Sequence, residues 1–187
     1  MSDRNISVAL KEWDLTISLL LAGKQAILLR KGGILEAENE FVLEHQRFLF
    51  YPTFIHQDPR MVKSAHRAVI RHAKSEPEKI EICGYGEVAR IFEVPGRRQL
   101  ETLDDLHVWD APLLDMRFAY RPEKPLYVVV IRALILPAPV TIANTIEYAG
   151  CKSWVPLEEP VDIGDATPAM KPEALEGVVE RINRAFG

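Results

Sequence analysis

Apolar positions change their period several times along the chain. Over residues 6–22 they recur at helical spacing, with Ile6, Leu10, Trp13, Ile17, Leu20 and Leu21 on one face. Ser2 or Asp3 can cap that helix and Gly23 can end it. Residues 26–30 read as a short strand, and Lys31-Gly32-Gly33 as a turn, since glycine tolerates positive φ. An acid-rich stretch follows, with a strand expected over about 40–43. Another strand is expected at 48–51, stopped by Pro52. Asp58-Pro59 sets a capping side chain before proline at the first helical position, so a helix is predicted to about Lys74. Ser75-Glu76-Pro77 ends it.

Residues 79–94 alternate most clearly. Ile80, Ile82, Val88, Phe92 and Val94 share one parity, and Glu81, Glu87 and Glu93 share the other. Gly84 and Gly86 interrupt the apolar face, which predicts a sharp bend or a break into two strands. Leu100, Leu103 and Leu106 suggest a short helix. Residues 126–136 are apolar on both faces and predict a covered central strand, followed by a proline-rich loop at Pro137 and Pro139. A last strand is expected at 153–155, then loop over 156–172. A final helix opens at Pro172 with Leu175, Val178, Val179, Ile182 and Phe186 on its apolar side. Helices do not alternate regularly with strands, so a doubly wound parallel sheet is not expected. The order predicts an α+β fold: a curved, mostly antiparallel sheet or partly closed barrel with flanking helices. One domain, 1–187, is expected.

Composition narrows the class. The 187 residues are 48% apolar and 27% charged, ordinary for a globular chain, and the net charge of −4 excludes coating of nucleic acid by bulk charge. Two cysteines, Cys83 and Cys151, are too few for a disulfide scaffold and fit a reducing cytoplasm. The N-terminus lacks the apolar core of a signal peptide. The longest apolar run carries Arg132 and falls short of the roughly 20 residues that cross a bilayer, so no membrane association is expected. There is no GxSxG and no P-loop, and Gly84-Tyr85-Gly86 lacks the third glycine of a dinucleotide fingerprint. No cofactor or metal is expected. No lysine has an acid two residues before it, so the (D/E)xK element of many nucleases is missing.

Candidate chemistry lies in four places. On a helix over 59–75, Arg60, Lys63, Arg67, Arg71 and Lys74 would fall within an arc of roughly 80°, with Val62, Ala65, Val69 and Ala73 opposite. Within the expected helix no acid sits four residues away to pair them, so the stripe suits the phosphates of DNA or RNA. Its alternative is a solvated face, or one paired with the acids of residues 36–44. Glu44, His45 and His56 flank the 48–51 strand and could serve as a general-base pair or metal ligands, or simply fix a turn. Arg132, and Arg90 on the apolar parity, would need an acid or anion partner if buried. Cys151-Lys152-Ser153-Trp154 combines a thiol, an ammonium and an indole, a set that can stack a base and hold its phosphate.

Several segments together resemble a known family. They are Ala9-Leu10-Lys11-Glu12-Trp13, Leu28-Leu29-Arg30-Lys31-Gly32-Gly33-Ile34, Phe41, Glu44-His45, Phe48, Tyr51-Pro52-Thr53, His56-Gln57 and Tyr148-Ala149-Gly150-Cys151-Lys152-Ser153-Trp154. This combination resembles the bacterial domain-of-unknown-function family 1802 over about residues 6–157, with a helical tail of about 172–186 outside it. The resemblance implies proximity to restriction–modification systems and assigns no catalytic residue. Two functions follow. The first is a cytoplasmic nucleic-acid-binding or restriction-associated accessory module, with the basic helix on phosphates and Arg30, Lys31, Lys152 and Trp154 shaping a base pocket. The second is a hydrolase or nuclease-like enzyme centred on Glu44, His45 and His56. A protein–protein adaptor using the acidic 36–44 segment and the last helix is a third.

Overall fold

The computed structural model describes residues 4–31, 34–37, 40–71, 73–150 and 152–187. The expected Gly32-Gly33 turn, the Ser2 and Asp3 caps and Cys151 fall outside them. Strands β1 (Asn5–Trp13), β2 (Ile27–Arg30), β5 (Arg47–Thr53), β6 (Lys79–Glu93), β7 (Tyr127–Ala143) and β8 (Trp154–Asp162) form one sheet in the order β2-β7-β6-β5-β1-β8. The short β9 (Thr167–Pro168) continues the β2 edge of β7, and β3 (Ile34–Ala37) and β4 (Glu40–Leu43) make a separate hairpin. Every pair is antiparallel except β1 with β5. The fold is therefore α+β, as the order of elements implies.

The sheet is not closed, yet it curls strongly. In a flat sheet the five steps from β2 to β8 would separate the two edges by about 24 Å. Instead Leu28 of β2 and Trp154 of β8 belong to one apolar cluster with Leu10, Phe48, Phe50, Val129 and Ile131. Helix α1 (Asp14–Leu21) plugs that inward face with Ile17 and Leu20. Alternate residues of the same strands point outward. Ile27, Leu29, Val128 and Val130 pack beneath α3 (Arg97–Glu101), α4 (Ala111–Ala119) and α5 (Pro172–Phe186). Leu49, Tyr51, Ile80, Ile82 and Leu134 form a third cluster.

The bend in the long strand lies where the glycines predict it. The β6–β7 register shifts between Ile82 and Gly84 and again between Val88 and Arg90. A Cβ on Gly84 would overlap the Leu134 carbonyl oxygen and the Leu21 side chain, so the crossing of β6 over β7 requires glycine here. Gly23 likewise takes φ of +65° just beyond α1, and its N–H donates to the Leu20 carbonyl.

Four expectations are corrected. Residues 6–22 are not one helix: the first half is β1, held between β5 and β8, and only Asp14–Leu21 is helical. Backbone partners about 40 and 150 residues away override the local period. Residues 59–74 are not a continuous helix either. A 3-10 turn at Pro59–Met61 ends in extended Val62, which bridges to Trp109, and α2 (Ser64–Arg67) is a single turn. Pro137 and Pro139 do not start a loop. They fall in the register shift opposite Cys83, where the β6–β7 ladder asks for no donor, and β7 resumes pairing from Val140. The stretch after Trp154 is strand to Asp162 rather than loop, with Pro156 and Pro160 on the open edge of β8. Arg90 and Arg132 are exposed, and Arg132 pairs with Glu87 at 3.5 Å.

The last helix is as expected from its pattern. Ile182 is fully buried, and Leu175, Val178, Val179 and Phe186 pack on the helical side of the sheet. Beside it, His107 is buried with neither ring nitrogen hydrogen-bonded among the described residues. Its ring leans on Trp109 at 5.4 Å. Burial first, and the Lys63 ammonium second, pull its pKa down to about 4.

Two predictions follow from this packing. Gly84→Ala should destabilise the protein by about 3 kcal/mol, because the added methyl meets backbone that cannot yield; denaturant titration of both proteins measures it. Between the unfolded value of 6.5 and about 4, the unfolded chain takes up a proton that folded His107 refuses. Its contribution is therefore full above pH 6.5 and is lost as pH falls toward 4, by up to roughly 3 kcal/mol. His107→Phe should flatten that decline in denaturation curves taken at pH 7 and pH 4.5.

Candidate functional site

The basic residues of 59–74 do not form an open stripe. Arg60 pairs with Asp58 at 2.7 Å, Lys63 with Asp104 at 3.0 Å and Arg67 with Asp110 at 3.1 Å. Arg71 pairs with Asp14, whose carboxylate is only 7% exposed at the start of α1. Three of these acids lie more than 40 residues away in sequence, where a check of neighbours four residues off cannot find them. Lys74 is exposed.

Glu44, His45 and His56 are not brought together. β5 stands between them, and its seven residues span roughly 20 Å. Glu44 Oε1 is 3.8 Å from His45 Nε2, while His56 is exposed beyond the other end of the strand. No group of three His, Cys, Asp or Glu side chains suited to a metal occurs among the described residues. A second cavity, about 440 Å³, surrounds the Asp14–Arg71 pair and is bordered by Phe54 and Cys83. Burial first, then Glu81, raises the Cys83 pKa, so this thiol is not activated.

The structure does unite Arg30, Lys31 and Trp154. They line a cleft of about 430 Å³ with Glu44, Arg117, Tyr120, Arg121 and Ser153. Its walls come from opposite edges of the sheet: Arg30 ends β2 and Trp154 begins β8, and only the curl brings them to one place. Trp154 is held edge-on by Phe48 at 5.1 Å and by His45 at 4.9 Å. Lys152 lies outside the lining, with its ammonium toward the Glu147 carbonyl at 3.4 Å.

The third wall is the end of α4. Lys31 Nζ donates to the carbonyls of Phe118 (3.2 Å), Tyr120 (2.7 Å) and Arg121 (3.2 Å). An ammonium there satisfies carbonyls that the helix leaves unpaired and meets the negative end of its dipole. Lys31 thus anchors the wall that carries Arg117, Tyr120 and Arg121. Tyr120 is 53% exposed, and the Arg121 guanidinium stacks over it at 5.1 Å. Arg121 has φ of +46°, a left-handed conformation uncommon for a side chain of this kind.

The cleft is strongly cationic on a chain of net charge −4. Among the described residues, neither Arg30 nor Arg117 has a carboxylate within ion-pairing distance. Burial lowers the Arg30 pKa; Glu12 opposes the shift and Arg117 adds to it. Arg117 Nε and Trp154 Nε1 are buried donors without a hydrogen-bond partner among the described residues. Buried donors of that kind usually find an acceptor.

The match to known families comes from the sequence itself. The model of the Domain of unknown function (DUF1802) matches residues 9–181. The chain belongs to this family. The DUF1802 match extends into α5, so the last helix is part of the family region rather than a tail outside it. A search of curated proteins finds no match. Among solved structures, the crystal structure of ASCH from Zymomonas mobilis is 11% identical with a TM-score of 0.44, covering 95% of this chain and 96% of that one. A mutant form of the same protein is 10% identical with a TM-score of 0.41, covering 92% and 96%. A likeness that slight leaves function open.

Sequence reasoning missed Arg117, Tyr120 and Arg121, because α4 has no clear apolar stripe. Arginines interleaved with Phe118 and Tyr120 were the available signal. If Lys31 anchors this wall, Lys31→Met should lower stability by about 1 kcal/mol and speed amide exchange across 117–121. Unchanged exchange in that segment would refute the anchoring role.

Proposed function

We propose that the protein is a nucleic-acid-binding module whose cleft receives a single strand. The observation that carries this reading is the cleft itself: the rings of Trp154 and Tyr120 stand beside Arg30, Arg117 and Arg121, guanidiniums without ion-paired carboxylates among the described residues. Rings stack bases of any sequence, and guanidiniums hold backbone phosphates. A single strand suits such a site because its bases are free to leave the stack. Arg60, Lys63, Arg67 and Arg71 are tied to acids, so the reading rests on the cleft and not on the 59–74 segment. The restriction–modification setting implied by the family resemblance would make the strand DNA, and comparing DNA with RNA tests that setting.

A second reading is enzymatic. Glu44 borders the cleft and His45 lies behind it against Trp154, so a carboxylate is available there as a general base, with His56 taking no part. Cleavage products that vanish in Glu44→Gln would favour it. An adaptor role has less behind it, since the apolar side of α5 is already packed against the sheet.

The test is binding of labelled single-stranded and duplex DNA and RNA at several salt concentrations. Engagement of each phosphate contributes about −0.7 to the slope of log K against log salt for a single strand, so a cleft of this size gives a slope near −1. Tyr120→Ala should cost about 1–3 kcal/mol of binding, the range for one stacked base. The Arg30→Gln and Arg117→Gln double variant should lose most of the salt dependence. Lys74→Ala should bind normally. Undiminished, salt-sensitive binding by the double variant would sink the proposal.

A further inference from the structure

The cleft has a charge, a size and a rim that bear on which part of a strand it takes. We infer that it takes an end: one nucleotide bearing a phosphomonoester, with the phosphate among Arg30, Arg117 and Arg121 and the base against Trp154 and Tyr120. This rests on the reading of the cleft as a nucleic-acid site and goes beyond it.

Charge is the first argument. Lys31 spends its donors on the α4 carbonyls, but Arg30, Arg117 and Arg121 make no ion pair among the described residues. Burial is what chiefly lowers the affinity of Arg30 for its proton; Glu12 opposes that shift, and the like charge of Arg117 adds to it. An internal phosphodiester brings one negative charge. A phosphomonoester brings about −1.5 to −2 near neutral pH and three acceptor oxygens. The second matches an array of guanidiniums better, because each can donate to its own oxygen.

Size is the second argument. A volume of about 430 Å³ is that of a site for one small ligand, roughly the room for a single nucleotide rather than a run of them. The rim is the third. Among the described residues Glu44 is the one carboxylate in the lining, and it would repel a further phosphate brought to its side of the cleft.

The experiment measures binding of a short oligothymidylate bearing a 5′-phosphate, a 3′-phosphate or neither, with free thymidine monophosphate as competitor. One phosphorylated end should bind about tenfold or more tightly than the unphosphorylated strand. The exposed Arg121→Gln should shrink that ratio, as should Arg117→Gln, while binding of the unphosphorylated strand changes less. Competition by the free monophosphate at the affinity of the phosphorylated strand would make a free nucleotide the source of the ligand; weak competition would make it a strand end. Equal affinity for all three strands would overturn this inference and leave the single-strand reading standing. Absence of binding to any of them would remove both.

Discussion

The ladder between β6 and β7 governs the shape of this molecule. It is the longest pairing in the fold, and it is bent twice by shifts of register, at Ile82–Gly84 and at Val88–Arg90. Bulges increase local twist and turn a strand toward a new direction. At the first bend the strands approach so closely that only glycine fits at position 84. The sheet therefore curls, α1 fills its hollow side, and strands at opposite edges come to share one apolar cluster. A flatter ladder would leave Arg30 and Trp154 on separate sides of the protein. The cleft is in this sense a product of a bend some distance along the chain from its own residues.

Two populations of cations coexist on this acidic chain. Those of residues 60–71 are bound to Asp58, Asp104, Asp110 and Asp14, and the last three pairs knit a segment with little regular structure onto the rest. Those of the cleft make no ion pairs among the described residues, although Arg30 is half-buried and Arg117 buries a donor. Desolvating a charge without a partner works against stability. So does the left-handed backbone of Arg121. Costs of this sort gather where a surface is shaped for something other than its own folding. Lys31 makes the arrangement possible by fixing the end of α4 through three carbonyls.

Where the sequence carried its own evidence, it was readable. The alternation of residues 79–94 with glycines mid-run marked both a long strand and its bend, and the apolar side of α5 announced its packing. Arg30, Lys31, Lys152 and Trp154 read as one pocket; the first two and Trp154 share a cleft, while Lys152 lies outside its lining. The rest depended on partners distant in the chain. Residues 6–13 have a helical period but lie between two strands that supply their hydrogen bonds. Residues 59–74 have a helical stripe, but Val62 is drawn out to bridge Trp109, and the acids that pair the cations are remote. Arg117, Tyr120 and Arg121 become neighbours of Trp154 only through the anchoring of α4, which local pattern does not encode.

An open sheet leaves strand edges that could recruit another chain. Here β8 presents Pro156 and Pro160 along its outer edge, and β7 passes its least-paired stretch with Pro137 and Pro139. Proline has no N–H to offer an incoming strand, so neither stretch is a good template for further pairing. The residues that make these segments look like loops thus let the sheet stay open without becoming a site of self-association. The seam between β2 and β8 is thus left as an open cleft and not closed by a seventh main-path strand.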